Sequence, residues 1–422
     1  MRVEIEKGSA RGTLRVPPSK SCAHRLILGA ALADGISRIE NVAFSEDILA
    51  TLDGIKALGA EFFIEKNTVT VRGGGAKVLE KKEELPQFLC RESGSTLRFL
   101  IPAALLGGGG VFCGTERLIS RGIGIYEDLF SGKAEIKKRE TEILLRGRLS
   151  ADNYRLSGNV SSQFITGLLF ALPMLEGNST IEILPPFESR GYVELTLDIL
   201  RRYGIKIEQN GLCYSVAGGQ RYSPLRAKVE GDYSQAAFFY GLNFLGGEVD
   251  PLGLDPESLQ GDRVCVDIFE KMGRGYVRED LSDCPDLAPI LFAMASAGYG
   301  AHFTGTRRLA IKESNRARVM AEELAKFGAK ITVRENDVEI EPSELHAPIV
   351  PLCGHNDHRI VMALSVILTQ IGGSIDGIEA VRKSYPAFFE VLKEFYTNLP
   401  EEFNFFDTEF YKKYWLPRYK DD

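Results

Sequence analysis

The sequence predicts an α/β protein of two inside-out domains, each built from three repeated strand–helix units with its helices buried and its sheets outside. Three observations lead there. The chain has 422 residues, more than one ordinary core accommodates. Six apolar segments of about three helical turns recur along it, each opened by a polar cluster. Its 43 glycines punctuate the pattern more often than a helical bundle tolerates, and they mark many short turns.

The elements follow in order. Residues 3–6 alternate as a strand ahead of the first unit and fit either domain. The apolar segments are residues 25–32, 97–106, 164–175, 236–245, 287–297 and 360–371. A helix apolar on most faces must be buried, which places these inside. Residues 48–58, 193–203 and 319–327 read as amphipathic second helices, each followed by a glycine (Gly59, Gly204, Gly328) suited to a left-handed exit. Short β-branched strands such as residues 330–334 come next. Six like units divide into a domain of residues 16–228 and a domain of residues 1–15 plus 229–396. Residues 397–422 form a C-terminal extension rich in acids and aromatics without helical period; packing as a latch and self-association both fit it.

Composition narrows the function classes. A net charge of −7 argues against a general nucleic-acid binder. The seven cysteines are scattered without a CxxC pair and the five histidines lack ligand spacing, so no metal or cofactor is expected. Free thiols fit a reducing compartment. The start of the chain alternates like a strand rather than running apolar, and the longest apolar stretch, residues 99–112, is broken by Pro102 and glycines. A cytoplasmic monomer acting on small molecules, with no membrane partner, is the expectation.

The helix openings carry the chemistry. A helix N-terminus offers unpaired N–H groups and partial positive charge to an anion. One opening holds Pro17, Pro18, Ser19, Lys20 and Ser21 with Arg25 on the same face; another holds Glu92, Ser93, Gly94, Ser95 and Thr96 with Arg98. Ser161, Ser162 and Gln163 open a third, and Asn356, Asp357, His358 and Arg359 open the last. Capping explains the Ser, Thr, Asp and Asn residues. It does not explain Lys20, Arg25, Arg98 and Arg359, because cations there oppose the helix dipole. Lys312 and Arg316 are like charges four apart, mutually repulsive if helical; Glu313 pairing with Arg316 offsets this, and an anion bridging both cations is the sharper reading.

With these residues assembled, the chain resembles the EPSP synthase family over nearly all of residues 1–396. The segment from Val16 to Ser21 with Arg25 is similar to the family's first signature, and Gly94 to Arg98 to its phosphoenolpyruvate loop. Arg121, the Ser161–Ser162–Gln163 run, Ser189 with Tyr192, Asp286, Lys312 with Glu313, Arg316, the Asn356-to-Arg359 run and Lys383 follow in family order. The resemblance implies the βαβαββ form of each unit. It also implies that Lys20, Ser21, Arg25, Ser161, Ser162, Gln163, Ser189, Tyr192, Asp286 and Lys312 hold shikimate 3-phosphate. Phosphoenolpyruvate falls to Lys20, Gly94, Arg121, Gln163, Arg316, Arg359 and Lys383. Four departures stand out: Arg308 and Glu92 replace a common Asn, Ser95 replaces a common Thr, and the extension is unusual.

The expected chemistry is enolpyruvyl transfer, with Asp286 as base on the acceptor hydroxyl, Glu313 as acid at the methylene carbon and Lys20 as a second proton carrier. A carboxylic acid that donates at neutral pH needs a raised pKa. Anions are expected to draw the two halves together, since the cations are split between them. A related transferase acting on a nucleotide sugar uses a cysteine on a mobile loop; Cys113, the nearest candidate, reads instead as part of a buried strand.

Overall fold

The computed structural model describes residues 1–395, so the extension 397–422 lies outside the described residues. Among the described residues the chain divides into two compact units, Pro18–Glu230 and a split unit of Met1–Pro17 with residues 231–395. Each crossing falls two residues beyond the boundary expected from sequence, and the strand ladders explain why. The Val16 N–H donates to Leu252 O at 2.9 Å, prolonging the pairing of Arg11–Arg15 with Glu248–Leu252. The Val229 N–H donates to Glu40 O at 2.9 Å, prolonging that of Arg226–Lys228 with Ile36–Glu40. Each residue stays with the ladder that satisfies its backbone. Strand Arg2–Ile5 pairs with Gly373–Asp376 and so belongs to the split unit.

The Pro18–Glu230 unit holds three four-stranded sheets of one design. In Asn153–Ser157, Ser179–Leu184, Cys213–Val216 and Ile207–Asn210, the first pair is parallel and the other two pairings are antiparallel. The parallel pair requires a crossover, and helix Ser162–Ala171 supplies it. The same pattern recurs around Gln87–Arg91 and around Ile36–Glu40. In the latter sheet the first strand is Arg226–Lys228, so the end of the unit returns to its beginning. Alternating burial along the strands leaves one face outside.

The apolar helices are inside. All of Gly94–Leu106 but Ser95 is buried, and all of Ser162–Ala171 but Gln163. Pro102 lacks the N–H that would bond Arg98 O. The Tyr126 hydroxyl fills that place, 2.8 Å from Arg98 O and 3.0 Å from Phe164 O. Gly167 lets the two helices close at this point, since a Cβ there would lie 2.5 Å from Arg98 O. The helix expected over 164–175 ends at Ala171 because Pro173 turns the chain into the 3-10 segment Leu172–Met174.

The split unit repeats the design with fewer strands. Val277–Asp280, Ala301–Thr304, Asp337–Glu341 and Lys330–Val333 form its one four-stranded sheet among the described residues. The others have three strands (Arg2–Ile5, Gly373–Asp376, Leu352–Cys353) and two (Glu248–Leu252, Arg11–Arg15). After Leu252 the chain passes through Gly253, Asp255 and Pro256 into helix Cys265–Met272, with no hairpin between. The amphipathic helices Glu46–Leu58, Arg190–Arg202 and Arg316–Ala325 run into Gly59, Gly204 and Gly328, at φ 104°, 84° and 90°. Among the described residues no helix is long and apolar enough to cross a membrane.

Candidate active site

Two charged clusters stand out, one in each unit. In the split unit, Asp286 lies in the 3-10 turn Pro285–Leu287 that leads into helix Ala288–Ala297. Its Oδ1 accepts from Arg316 Nη1 at 2.8 Å and Lys312 Nζ at 3.3 Å, and its Oδ2 accepts from Arg359 Nη2 at 3.0 Å. Arg359 also donates to Asp286 O at 3.1 Å and to Ser234 Oγ at 3.1 Å.

Arg316 is wedged among three carboxylates. Besides Asp286 it donates from Nε to Asp357 Oδ2 at 2.9 Å and from Nη2 to Glu313 Oε2 at 2.7 Å. Its side chain is 1% exposed, so these pairs act where water screens little. Asp357 serves twice, because its side chain also accepts from Arg359 N at 3.0 Å and caps helix His358–Ile371.

The structure decides the condition that the sequence left open here. Residues 312–315 are not helical; helix Arg316–Ala325 starts at Arg316 with Asn315 as its cap. Lys312 and Arg316 therefore meet across Asp286 rather than repelling along a helix face.

Burial pushes the Asp286 carboxyl up, but Arg359, Lys312 and Arg316 overcome it and hold it well below the usual carboxylate range. Burial lowers Lys312, and Asp286 only partly restores it. Burial also opposes the charge of Arg316, yet Asp357, Glu313 and Asp286 outweigh it and leave that guanidinium raised.

In the Pro18–Glu230 unit, Ser19 caps helix Lys20–Leu32, and Lys20 Nζ reaches Asp47 Oδ2 at 2.7 Å. Arg25 is buried among neutral acceptors: Thr196 Oγ1 at 2.8 Å, Ser21 O at 2.8 Å and Tyr192 O at 3.0 Å. The rings of Phe99 and Tyr192 flank it at 5.2 and 6.0 Å. Burial pulls this guanidinium down to about 10.

Gln163 links the next group. Its Oε1 accepts from Arg98 Nη1 at 2.6 Å and its Nε2 donates to Ser95 Oγ at 2.9 Å. A Cβ on Gly94 would lie 2.9 Å from Arg98 Nη1 and 3.5 Å from both terminal nitrogens of Arg121. Ser161 caps helix Ser162–Ala171 through Gln163 N at 3.3 Å, Ser162 is buried, and Ser189 takes a left-handed φ of 57° ahead of Tyr192.

The structure thus gathers Lys312, Arg316 and Arg359 around Asp286, with Glu313 on the far side of Arg316's hydrogen bonds. Lys383 donates to Asn356 O at 2.6 Å. Lys20 pairs with Asp47, Ser21 joins Arg25 and Tyr192, and Gly94 lies beside Arg121. Asp47 and Ser234 join these clusters without a role expected from the sequence, and Arg98 and Asp357, expected only as an unexplained cation and a cap, also hold Gln163 and Arg316. Arg98 and Asp357 were visible within the motifs, whereas Asp47 reads in sequence as an ordinary acid in a helix first turn. Arg308 is buried and donates to Ser282 O. Cys113 does lie in a strand, Gly109–Gly114, but is half-buried rather than buried and accepts from Gln87 Nε2 at 3.2 Å.

The model of the family described as EPSP synthase (3-phosphoshikimate 1-carboxyvinyltransferase) matches residues 5–392. The chain belongs to the EPSP synthase family. It is 38% identical over 417 residues to the 3-phosphoshikimate 1-carboxyvinyltransferase of Clostridium kluyveri, covering 92% of this chain and 96% of that one. Identity to that of Clostridium acetobutylicum is 40% over 419 residues, covering 93% and 96%. Among solved structures, two of EPSP synthase from Acinetobacter baumannii match with TM-scores of 0.74 and 0.76 at 23% and 22% identity. They cover 94% and 95% of this chain and 99% of each of theirs, and they carry the family fold. The span matched by the family includes every residue of both clusters.

Proposed function

We propose that the chain transfers the enolpyruvyl group of phosphoenolpyruvate to the 5-hydroxyl of shikimate 3-phosphate, releasing phosphate. Family membership supports the reaction, and the observation that carries the chemistry is Asp286, ionised within a ring of three cations. Asp286 takes the hydroxyl proton as the oxygen bonds to the central carbon of phosphoenolpyruvate. Glu313 gives a proton to the methylene carbon. The adduct then loses phosphate, which takes up the proton held by Asp286, and Glu313 or Lys20 recovers the proton from the methyl group.

The resting geometry sets conditions on these roles. A carboxylate held far down by three cations is a weak base. Anionic substrates that engage Lys312 and Arg359 would weaken that hold and raise its basicity. Glu313 likewise acts as an acid once Arg316 is drawn towards an anion. Ser21, Arg25, Ser161, Ser162, Gln163, Ser189 and Tyr192, with Asp286, Lys312 and Lys20, fit the acceptor. Gly94, Arg121, Arg316, Arg359 and Lys383, with Lys20 and Gln163, fit the donor. The cations offset the repulsion of two anions and keep them in contact. In this reading the protein is a cytoplasmic monomer.

Phosphate release from phosphoenolpyruvate tests it, with shikimate 3-phosphate and UDP-N-acetylglucosamine run side by side as acceptors. Release only with shikimate 3-phosphate is expected. Release only with the nucleotide sugar would overturn the acceptor, and release with neither would leave a binding protein.

A further inference from the structure

The helix that carries Arg316 bears a second buried carboxylate that the reaction does not use. Glu323 is 3% exposed and receives three donors. Lys326 Nζ at 2.7 Å and Cys353 N at 2.9 Å share Oε2, and His355 Nε2 lies 3.0 Å from Oε1. A carboxylate only accepts, so the ring nitrogen facing it carries the proton.

The loop held in this way is an unusual one. His355 and Asn356 have φ of 47° and 52°, two neighbouring side-chain-bearing residues in the left-handed region. Such a pair persists only where its surroundings impose it. Gly354 N donates to Asp376 O at 2.8 Å on one side of the pair. On the other side Asp357 takes Arg316 at 2.9 Å and caps the helix that starts with His358 and Arg359. The carbonyl of Asn356 itself accepts from Lys383 Nζ at 2.6 Å.

Helix Arg316–Ala325 therefore grips this loop at two places, through Arg316 on Asp357 and through Glu323 on Cys353 and His355. The left-handed pair runs from one grip towards the other, and its direction decides where the helix carrying Arg359 begins and where Lys383 finds its acceptor. We infer that Glu323 and His355 are positioning residues for Arg359 and Lys383, and so for phosphoenolpyruvate. This rests on the reaction proposed above. Neither residue is needed to touch substrate.

The test compares Glu323→Ala, His355→Leu and His355→Gln in steady-state kinetics with both substrates. Leu and Gln meet similar backbone strain at position 355, but only Gln keeps an N–H donor near the position of Nε2. Glu323→Ala and His355→Leu are expected to raise the KM for phosphoenolpyruvate about tenfold or more, as small misplacements do. The KM for shikimate 3-phosphate should stay within about twofold, because Asp286 and Lys312 are off this loop. His355→Gln should restore most of the loss. Unchanged phosphoenolpyruvate KM in a folded variant, an equal rise for both substrates, or no rescue by Gln would each overturn the inference. If Glu323→Ala fails to fold, the His355 pair decides alone. If the wild type releases no phosphate, the reaction reading falls, and equilibrium dialysis of phosphoenolpyruvate with the same variants still decides the positioning role.

Discussion

Arg316 and Arg25 are both almost wholly buried, at 1% and 3% exposure, yet they are held by different means. Arg316 sits among Asp286, Glu313 and Asp357, whereas Arg25 is held by a hydroxyl and two backbone carbonyls. The proton affinities follow: carboxylates raise that of Arg316 against burial, while burial lowers that of Arg25. A cation compensated in advance makes an incoming anion compete with carboxylates, and in doing so it couples anion binding to their protonation. A cation held by neutral dipoles keeps its net charge for the ligand. The first arrangement suits proton transfer and the second suits recognition.

The largest expected effect tests the proton-transfer side. Asp286→Asn and Glu313→Gln should each lower kcat on the order of 10³-fold while substrate dissociation constants move little. Unchanged turnover in either variant removes that residue from the mechanism.

Stability separates the two arginines next. Replacing Arg316 by Leu removes a buried cation shared by three carboxylates and should cost about 3–5 kcal/mol in urea unfolding. Arg25→Leu strands only neutral acceptors and should cost about 1–3 kcal/mol. The reverse order would break the comparison.

Acid titration sharpens it further. The folded pKa of Asp286 lies below its unfolded value, so its stabilisation is present above the unfolded pKa and is lost as pH falls through the folded one. The stability gap between wild type and Asp286→Asn should hold steady down to about pH 4 and close below that. A gap that instead widens in acid would mean the cations do not hold this carboxylate. The smallest effect belongs to the partly exposed Lys20–Asp47 pair, where Asp47→Asn should cost about 1 kcal/mol or less in the same unfolding measurement.

Much of this was legible in the chain because it is local. The apolar helices announce their burial through residues such as those of Gly94–Leu106, and Gly59, Gly204 and Gly328 mark helix ends by a backbone shape that favours glycine. The missing hairpin after Leu252 was less visible, since nothing in a repeat pattern says which copy is cut short. Residues 312–316 were partly legible: the Glu313–Arg316 pair, three apart, forms at 2.7 Å, while like charges four apart matter only on a helix, and the helix begins at Arg316.

By itself the sequence determined the repeats, the helix faces, the turns and the order of the polar motifs, all of which depend on neighbours a few residues apart. Only the tertiary structure decided which charges far apart in the chain meet. Asp286 finds Arg316 and Arg359, Lys20 finds Asp47, and Glu323 finds His355, across separations of 27 to 73 residues. Ion pairs inside a protein depend on distance and burial, which are set when sheets and helices close on one another, and no spacing along the chain encodes them.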